Sequence, residues 1–278
     1  MRRATEYLFE HLLVAATMLF GVLGFWNIFL EETAAPNLYH YLHAATVFIW
    51  MLLLLYQLRL VANKRYGDHR RAGLAVLAIG PVLFATSALL TVYSAQKGLV
   101  SEEGDALIVQ NVMTTLVLGL LILFAFVLRQ RRKLHGAFIL STAILFMGIA
   151  LFFTLISFVP QYKIEGPETF DRFQSAGITF SIICAVVGFL LFVKDFRNGW
   201  PFLLAGSSFT LMELTRSSLA KNELIAPLTE LVGSMNQAFT FVGSFVVLFA
   251  SLAATGVLNA RRSRGIEKTQ LKRLPSTD

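Results

Sequence analysis

The sequence has few of the cysteine and charged residues on which secreted and soluble proteins depend. Its one cysteine, Cys184, allows no internal disulfide and no CxxC motif for metal or redox chemistry. Only 15% of its residues are charged, whereas soluble domains carry about 25%. No HExxH, no GxSxG and no zinc-ligand cluster occurs, which argues against the hydrolases that these motifs mark.

Long apolar runs make up most of what remains. Hydrophobic residues form 56% of the chain, and run after run exceeds the roughly 18 to 20 residues that a helix needs to cross a bilayer. Backbone groups in lipid have no water to bind, so such runs must be helices. The sequence therefore predicts an all-α integral membrane protein, a bundle of eight transmembrane helices embedded in the lipid bilayer. We place the helices at 7–30, 38–63, 72–95, 106–129, 134–158, 171–193, 200–219 and 231–258.

The charged residues predict the direction of these helices. Lys and Arg cluster on alternate sides of the apolar runs, and the opposite side has only four of them, Lys97, Lys163, Arg172 and Lys221. Basic loops stay in the cytoplasm, so we expect both termini to be cytoplasmic and the first apolar run to be a retained helix. The net charge of +7 does not indicate nucleic-acid binding, because the basic residues lie between apolar runs. The tail, 261–278, is basic, and we expect it to be disordered and close to anionic lipid.

Polar residues recur at one depth in the outer half of the predicted membrane region. Polar groups at this depth are costly and often functional. Together they predict a ligand pocket that opens outward, or interhelical hydrogen bonds and a neutralised ion pair of purely structural role. The residues are Asn27, His40, His43, Gln110, Asn111, Glu213, Arg216, Asn236 and Gln237.

A second polar set lies near the cytoplasmic ends of the helices. It consists of His11, Gln57, His69 and His135. His11, His69 and His135 belong to different segments, so they could together hold one b-type haem or a metal ion. In the alternative interpretation they are ordinary residues of helix ends, with Asp68 as the N-cap of the third helix.

One stretch resembles a large group of uncharacterised bacterial multipass membrane proteins. That group has a histidine early in one helix, a tryptophan and a glutamine further along, and a His-Arg-Arg-x-Gly segment opening the next helix. The matching residues here are His43, Trp50, Gln57, His69-Arg70-Arg71 and Gly73, and the likeness covers about residues 38 to 145. This resemblance implies a bacterial inner-membrane location, and it marks four positions as candidates for a shared role: His43, Gln57, His69 and His135. It implies no particular activity. The chain is also faintly similar to membrane proteins that assist the assembly of terminal oxidases.

Three functions are compatible with these observations. The first is cofactor or small-ligand binding through intramembrane His, Glu and Arg residues, with haem, quinone or metal as a link to respiration. The second is transport through the outward polar pocket, although transporters usually carry inverted repeats and broken helices. The third is a non-catalytic assembly or sensory subunit that contacts membrane-protein partners through its helix faces. The sequence does not decide whether the protein is an enzyme.

Overall fold

The computed structural model describes residues 7–32, 34–102, 104–169 and 171–271, with side chains up to residue 256 and Pro167 excepted. All regular structure in these ranges is helical. The elements are α1 (Leu8–Gly24), α2 (Trp26–Phe29), α3 (Leu38–Ala62), α4 (Tyr66–Gly73), α5 (Val76–Val100), α6 (Ile108–Val127), α7 (Arg132–Phe158), a 3-10 turn (Pro167–Thr169), α8 (Asp171–Lys194), α9 (Trp200–Lys221), α10 (Ile225–Gly233) and α11 (Gln237–Leu271).

Six helices in the described part of the chain are long and apolar enough to cross a membrane. They are α3, α5, α6, α7, α8 and the first part of α11, Gln237–Gly256. Helix α1 is apolar but has only 17 residues, and α9 is less apolar than the six. The chain is therefore a helical membrane protein with six clear candidate spans.

Helix α7 is the centre of the bundle, and α1, α6, α8 and α9 pack around it. Its buried side chains include Phe138, Ile144 and Leu145. The fully buried Trp50 of α3 donates its indole N–H to Thr142 of α7 at 2.9 Å, so this large ring is satisfied without water. A second group forms around α5, which packs against α3, α6, α10 and α11.

The helix ends meet in two layers. In one layer, which we call the basic end, Lys194 donates to the buried Glu10 at 2.7 and 2.8 Å, and Lys133 pairs with Asp195 at 3.0 Å. Hydrogen bonds from Lys133 and Asn198 hold the pKa of Asp195 below its usual range. The opposite layer, which we call the acidic end, contains Asp105 and the beginning of α8.

The last helix differs from its prediction. Instead of one helix at 231–258, α10 ends at Gly233 and α11 begins at Gln237. Gln96 stabilises this break because its side-chain amide donates to the carbonyls of Gly233 and Met235, both at 3.1 Å. Asn236 then caps α11 by accepting from the Phe239 N–H at 3.0 Å. The backbone is helical to Leu271, and 272–278 lie outside the described residues, so the disorder expected for the tail stays a prediction.

Two breaks near other helix ends also differ from the prediction. The expected helix at 7–30 is interrupted at Phe25, between α1 and α2. The expected helix at 72–95 is preceded by the separate helix α4 and runs from Val76 to Val100. Asp68 is not an N-cap, because it lies in the first turn of α4, where its carboxylate accepts from Arg65 at 2.8 Å.

Candidate functional site

Helices α8 and α9 form a tight antiparallel hairpin. Near the basic end Gly188 of α8 lies against the carbonyl of Phe202 in α9, and further along Gly206 lies against the carbonyl of Cys184. A Cβ atom at either glycine would approach these backbone oxygens closer than 3.0 Å. Small residues thus let the two backbones approach closely, as in many membrane helix pairs.

The hairpin opens toward the acidic end. The rings of Phe180 and Phe209 meet at 5.1 Å between centroids. Beyond them, Gly177 of α8 and Glu213 of α9 line a cavity of about 380 Å³. Ligand pockets in proteins have volumes of about 300 to 1,000 Å³, so the cavity is large enough for a small organic molecule.

An ion pair forms the α9 wall of this cavity. The Glu213 carboxylate accepts two hydrogen bonds from the Arg216 guanidinium, from Nε at 2.9 Å and from Nη2 at 2.5 Å. The two residues are three apart on α9, which places them on one face. The side chains of Glu213 and Arg216 are 35% and 32% exposed, so a ligand in the cavity can reach both.

The first two turns of α6 form a polar wall. Gln110 and Asn111 line the cavity, and Thr114 follows one turn later with its hydroxyl 3.5 Å from the Met212 sulfur. The side-chain oxygen of Gln110 is buried and has no hydrogen-bond partner among the described residues. Buried polar atoms are nearly always paired, so this oxygen indicates a group that the protein itself does not supply.

Phenylalanine rings close the remaining sides. Phe152 of α7 contacts Phe173 and Phe180 of α8 with edge-to-face geometry, at centroid distances of 4.9 and 5.4 Å. Phe180 continues the series to Phe209. The cavity therefore combines an aromatic interior with a few polar groups, the usual composition of a small-molecule site.

The structure divides the predicted outer pocket into two places. Gln110, Asn111, Glu213 and Arg216 line the cavity. Gln237 lies in another network, where the Tyr39 hydroxyl donates to its oxygen and its nitrogen donates to Gln96 at 2.6 Å. The nine predicted outer residues therefore do not all line one cavity, and their role as a ligand site stays a prediction.

The remaining outer residues have local structural roles or lie at the surface. His40 and Asn37 cap α3 reciprocally, at 3.1 and 3.2 Å. His43 lies 3.4 Å from the Thr86 hydroxyl. Asn236 caps α11, as described above, and Asn27 is exposed on α2. None of these four contributes to the cavity lining.

At the basic end, Gln57 and His69 form one contact between α3 and α4. One orientation of the Gln57 amide gives hydrogen bonds to both its nitrogen and its oxygen. In this orientation the nitrogen donates to His69 Nδ1, and the oxygen accepts from the Gly73 N–H at 2.8 Å. His69 also lies near His135, and burial, His135 and Arg70 together lower the pKa of His69 below its ordinary 6.5.

The hydrogen bonds of these histidines bear on the haem hypothesis. A neutral His69 that accepts at Nδ1 carries its proton on Nε2, so it offers no second lone pair to iron. The Nδ1 atoms of His135 and His11 lie 2.8 and 2.7 Å from the carbonyls of Ala125 and Tyr7. Within the described residues, no three His, Cys, Asp or Glu side chains are grouped to hold a metal ion.

Several cavity residues were not among the predicted site residues. The phenylalanines have no distinguishing signal in a chain with 25 of them. Gln174, Gly177 and Ser181, which all line the cavity, could have been found, because positions i, i+3 and i+7 share one helix face. Asp171 at the start of α8 also lines the cavity.

Comparison with known proteins finds no matching family model, no matching curated protein and no matching solved structure. The resemblance drawn from residues 38 to 145 thus stays a prediction.

Proposed function

We propose that this chain is an eight-helix inner-membrane protein that binds a small amphipathic ligand in the cavity between α6, α7, α8 and α9. The observation that carries the proposal is the cavity itself, which combines the Glu213–Arg216 ion pair and Gln110, whose buried oxygen has no described partner, with an aromatic interior. Such convergence of a few polar groups on an apolar pocket is the default mark of a binding site.

The packing of α9 supports its role as a membrane span. Its contacts with α8 run from Phe202 opposite Gly188 to Phe209 opposite Phe180, so it lies alongside a helix that is itself a candidate span. Helix α1 packs along α7 in the same way. With these two helices the number of spans becomes eight, and the distribution of Lys and Arg supports a cytoplasmic basic end and cytoplasmic termini.

In this orientation the cavity opens to the outer side of the membrane. Asp171 and Gln174 are exposed at its mouth, and the buried Ser181 lies ten positions after Asp171 on α8. At a rise of 1.5 Å per residue the cavity extends about 15 Å into the bundle. A ligand would therefore enter from outside and stop near the middle of the membrane.

Below this level α7, α8 and α9 pack closely against one another. Gly148 of α7 packs against the Phe209 ring and the Cys184 sulfur, and Gly206 lies on the Cys184 carbonyl. A transport cycle would have to separate these contacts, whereas ligand binding requires no such movement. The close packing supports binding over transport.

Ligand-induced stabilisation tests the proposal. The protein in lipid nanodiscs would be melted with phenethylammonium, phenethyl alcohol or phenylpropanoate, because a ligand of the folded state raises the melting temperature. Gly177→Leu should abolish the shift, since Gly177 lines the cavity and a Cβ atom added there would meet nothing within 4 Å, which leaves room for the leucine. Gly243→Leu on α11 has equal space and does not line the cavity, so it should keep the shift. If none of the three compounds gives a shift that depends on Gly177, the cavity is not a ligand site for this class of molecule.

A further inference from the structure

The charges in the cavity discriminate between classes of ligand. Three ionisable groups line it among the described residues, and two of them, Asp171 and Glu213, are acids. Arg216 is the third, and its guanidinium is already held by both oxygens of Glu213. The formal charges of these three side chains sum to −1.

This arrangement is unfavourable for an anion. A ligand carboxylate could bind Arg216 fully only by displacing Glu213, which would leave that carboxylate without its partner and close to a second negative charge. A cation meets no such obstacle. It can approach the Glu213 carboxylate while the hydrogen bonds to Arg216 remain, because each carboxylate oxygen accepts more than one hydrogen bond.

Gln110 indicates that the ligand donates hydrogen bonds. Its buried oxygen accepts from no described residue, and an amide oxygen can only accept. An N–H group of a ligand would satisfy it, whereas a carboxylate or ether oxygen would repel it.

The aromatic walls agree with a positive ligand. Phe152, Phe173 and Phe180 meet edge to face, and the face of each ring is the negative part of its quadrupole. Ring faces attract ammonium groups as well as apolar bodies.

We propose that the cavity binds an organic ammonium ion, a protonated amine carried on an aromatic or aliphatic body. The ammonium group binds at Glu213, with Asp171 at the mouth of the cavity and Gln110 on its α6 wall, and the apolar body extends toward Phe180 and Phe209. This inference rests on the proposed function, because it names the ligand class of the same site.

A matched set of ligands tests the charge. Phenethylammonium, phenethyl alcohol and phenylpropanoate have similar apolar bodies and differ in charge. Dissociation constants come from melting shifts in zwitterionic nanodiscs, counting only the part of each shift that Gly177→Leu removes. We expect the ammonium compound to bind at least about tenfold more tightly than the alcohol, a difference of one decade in Kd, and the carboxylate to bind most weakly. Equal or tighter binding of the alcohol or the carboxylate would overturn the inference while leaving the cavity as a ligand site. The absence of Gly177-dependent binding for all three would overturn the proposed function itself.

Two variants test the residues assigned to the ammonium group. Gln110→Leu removes the acceptor and should weaken phenethylammonium binding about tenfold, while Asn27→Leu, an amide exposed on α2, should leave it unchanged. Gln110→Glu adds a negative charge and should tighten ammonium binding and weaken carboxylate binding, which keeps the test valid if the leucine variant does not fold. Unchanged ammonium binding in a folded Gln110 variant would contradict the assignment.

Discussion

The α8–α9 hairpin that positions Glu213 opposite Gly177 depends on close backbone approach, and Gly188→Ala perturbs that approach directly. A Cβ at Gly188 would lie well inside 3.0 Å of the Phe202 carbonyl oxygen, and real Cβ atoms essentially never come closer than 3.0 Å to such an atom. The obstructing atom is backbone, so it cannot turn away as a side chain could. The two helices must therefore separate by about half an ångström.

The cost of this separation follows from lost dispersion. The dispersion attraction between two atoms in contact is roughly 0.15 kcal/mol, and a gap of that size removes about a quarter of it. Summed over about 50 atom pairs between the two helices, the loss is about 2 kcal/mol. This loss agrees with the cost of inserting an extra methyl or methylene group into a well-packed core, which is about 1 to 3 kcal/mol. Alanine also favours the helix over glycine by about 1 kcal/mol, so the comparison needs a glycine whose replacement brings only this gain.

Gly177 on the same helix is that control, because a Cβ there meets nothing within 4 Å. Thermal unfolding in one detergent should place Gly188→Ala below Gly177→Ala by about 4 to 8 °C, since 1 kcal/mol corresponds to about 2 to 4 °C in a chain of this size class. Equal melting temperatures for the two variants would refute the close packing of α8 on α9.

Three further predictions concern charged and titrating groups. Glu213→Gln and Arg216→Gln should each lower the melting temperature more than the double variant does, because each single change leaves one charge without its partner. If the double variant is the least stable of the three, the stabilising role of this ion pair is contradicted. Acidification from pH 7 to 5 should destabilise the protein in part through His69, because the pKa of His69 in the folded protein lies below the 6.5 of the unfolded chain. The contribution of His69 to stability is therefore complete above pH 6.5 and is lost as the pH falls through the folded pKa. The melting temperature of a His69→Gln variant should depend less steeply on pH, and an unchanged slope would exclude this role. His69→Ala should leave the dithionite-reduced ultraviolet–visible spectrum of protein expressed with haem unchanged, because His69 carries its proton on Nε2 whereas His11 and His135 donate from Nδ1 to carbonyls and keep Nε2 free; a Soret band that His69→Ala removes would contradict this assignment.

The sequence predicted the helices better than their breaks. The apolar runs are bounded by charged and turn residues, so the observed α7, α8 and α9 begin and end within about two residues of the predicted positions. The interruption between α10 and α11 occurs where the sequence remains largely apolar. It depends on the amide of Gln96, about 140 residues away along the chain, and no local pattern reveals such a contact.

From the sequence we could predict that the polar residues lie in the outer half of their helices, but not which helices are neighbours in the bundle. Gln110 lies two residues after the start of α6, Gln237 begins α11, and Glu213 lies eight residues before the end of α9. Only the order of helices around α7 and α5 separates the cavity from the network of Gln237. Helix neighbours are set by tertiary packing, which hydropathy and charge counting do not determine.

Labelling of Gly177→Cys in intact cells by a membrane-impermeant maleimide tests the central claim most directly. The native Cys184 is fully buried, so the wild type should remain unlabelled and serves as the background. If the cavity opens to the outer side, Gly177→Cys is labelled from outside, Gly243→Cys on α11 is not, and phenethylammonium slows the reaction. Labelling of Gly177→Cys only from the cytoplasmic side, or from neither side, would contradict an outward-opening cavity.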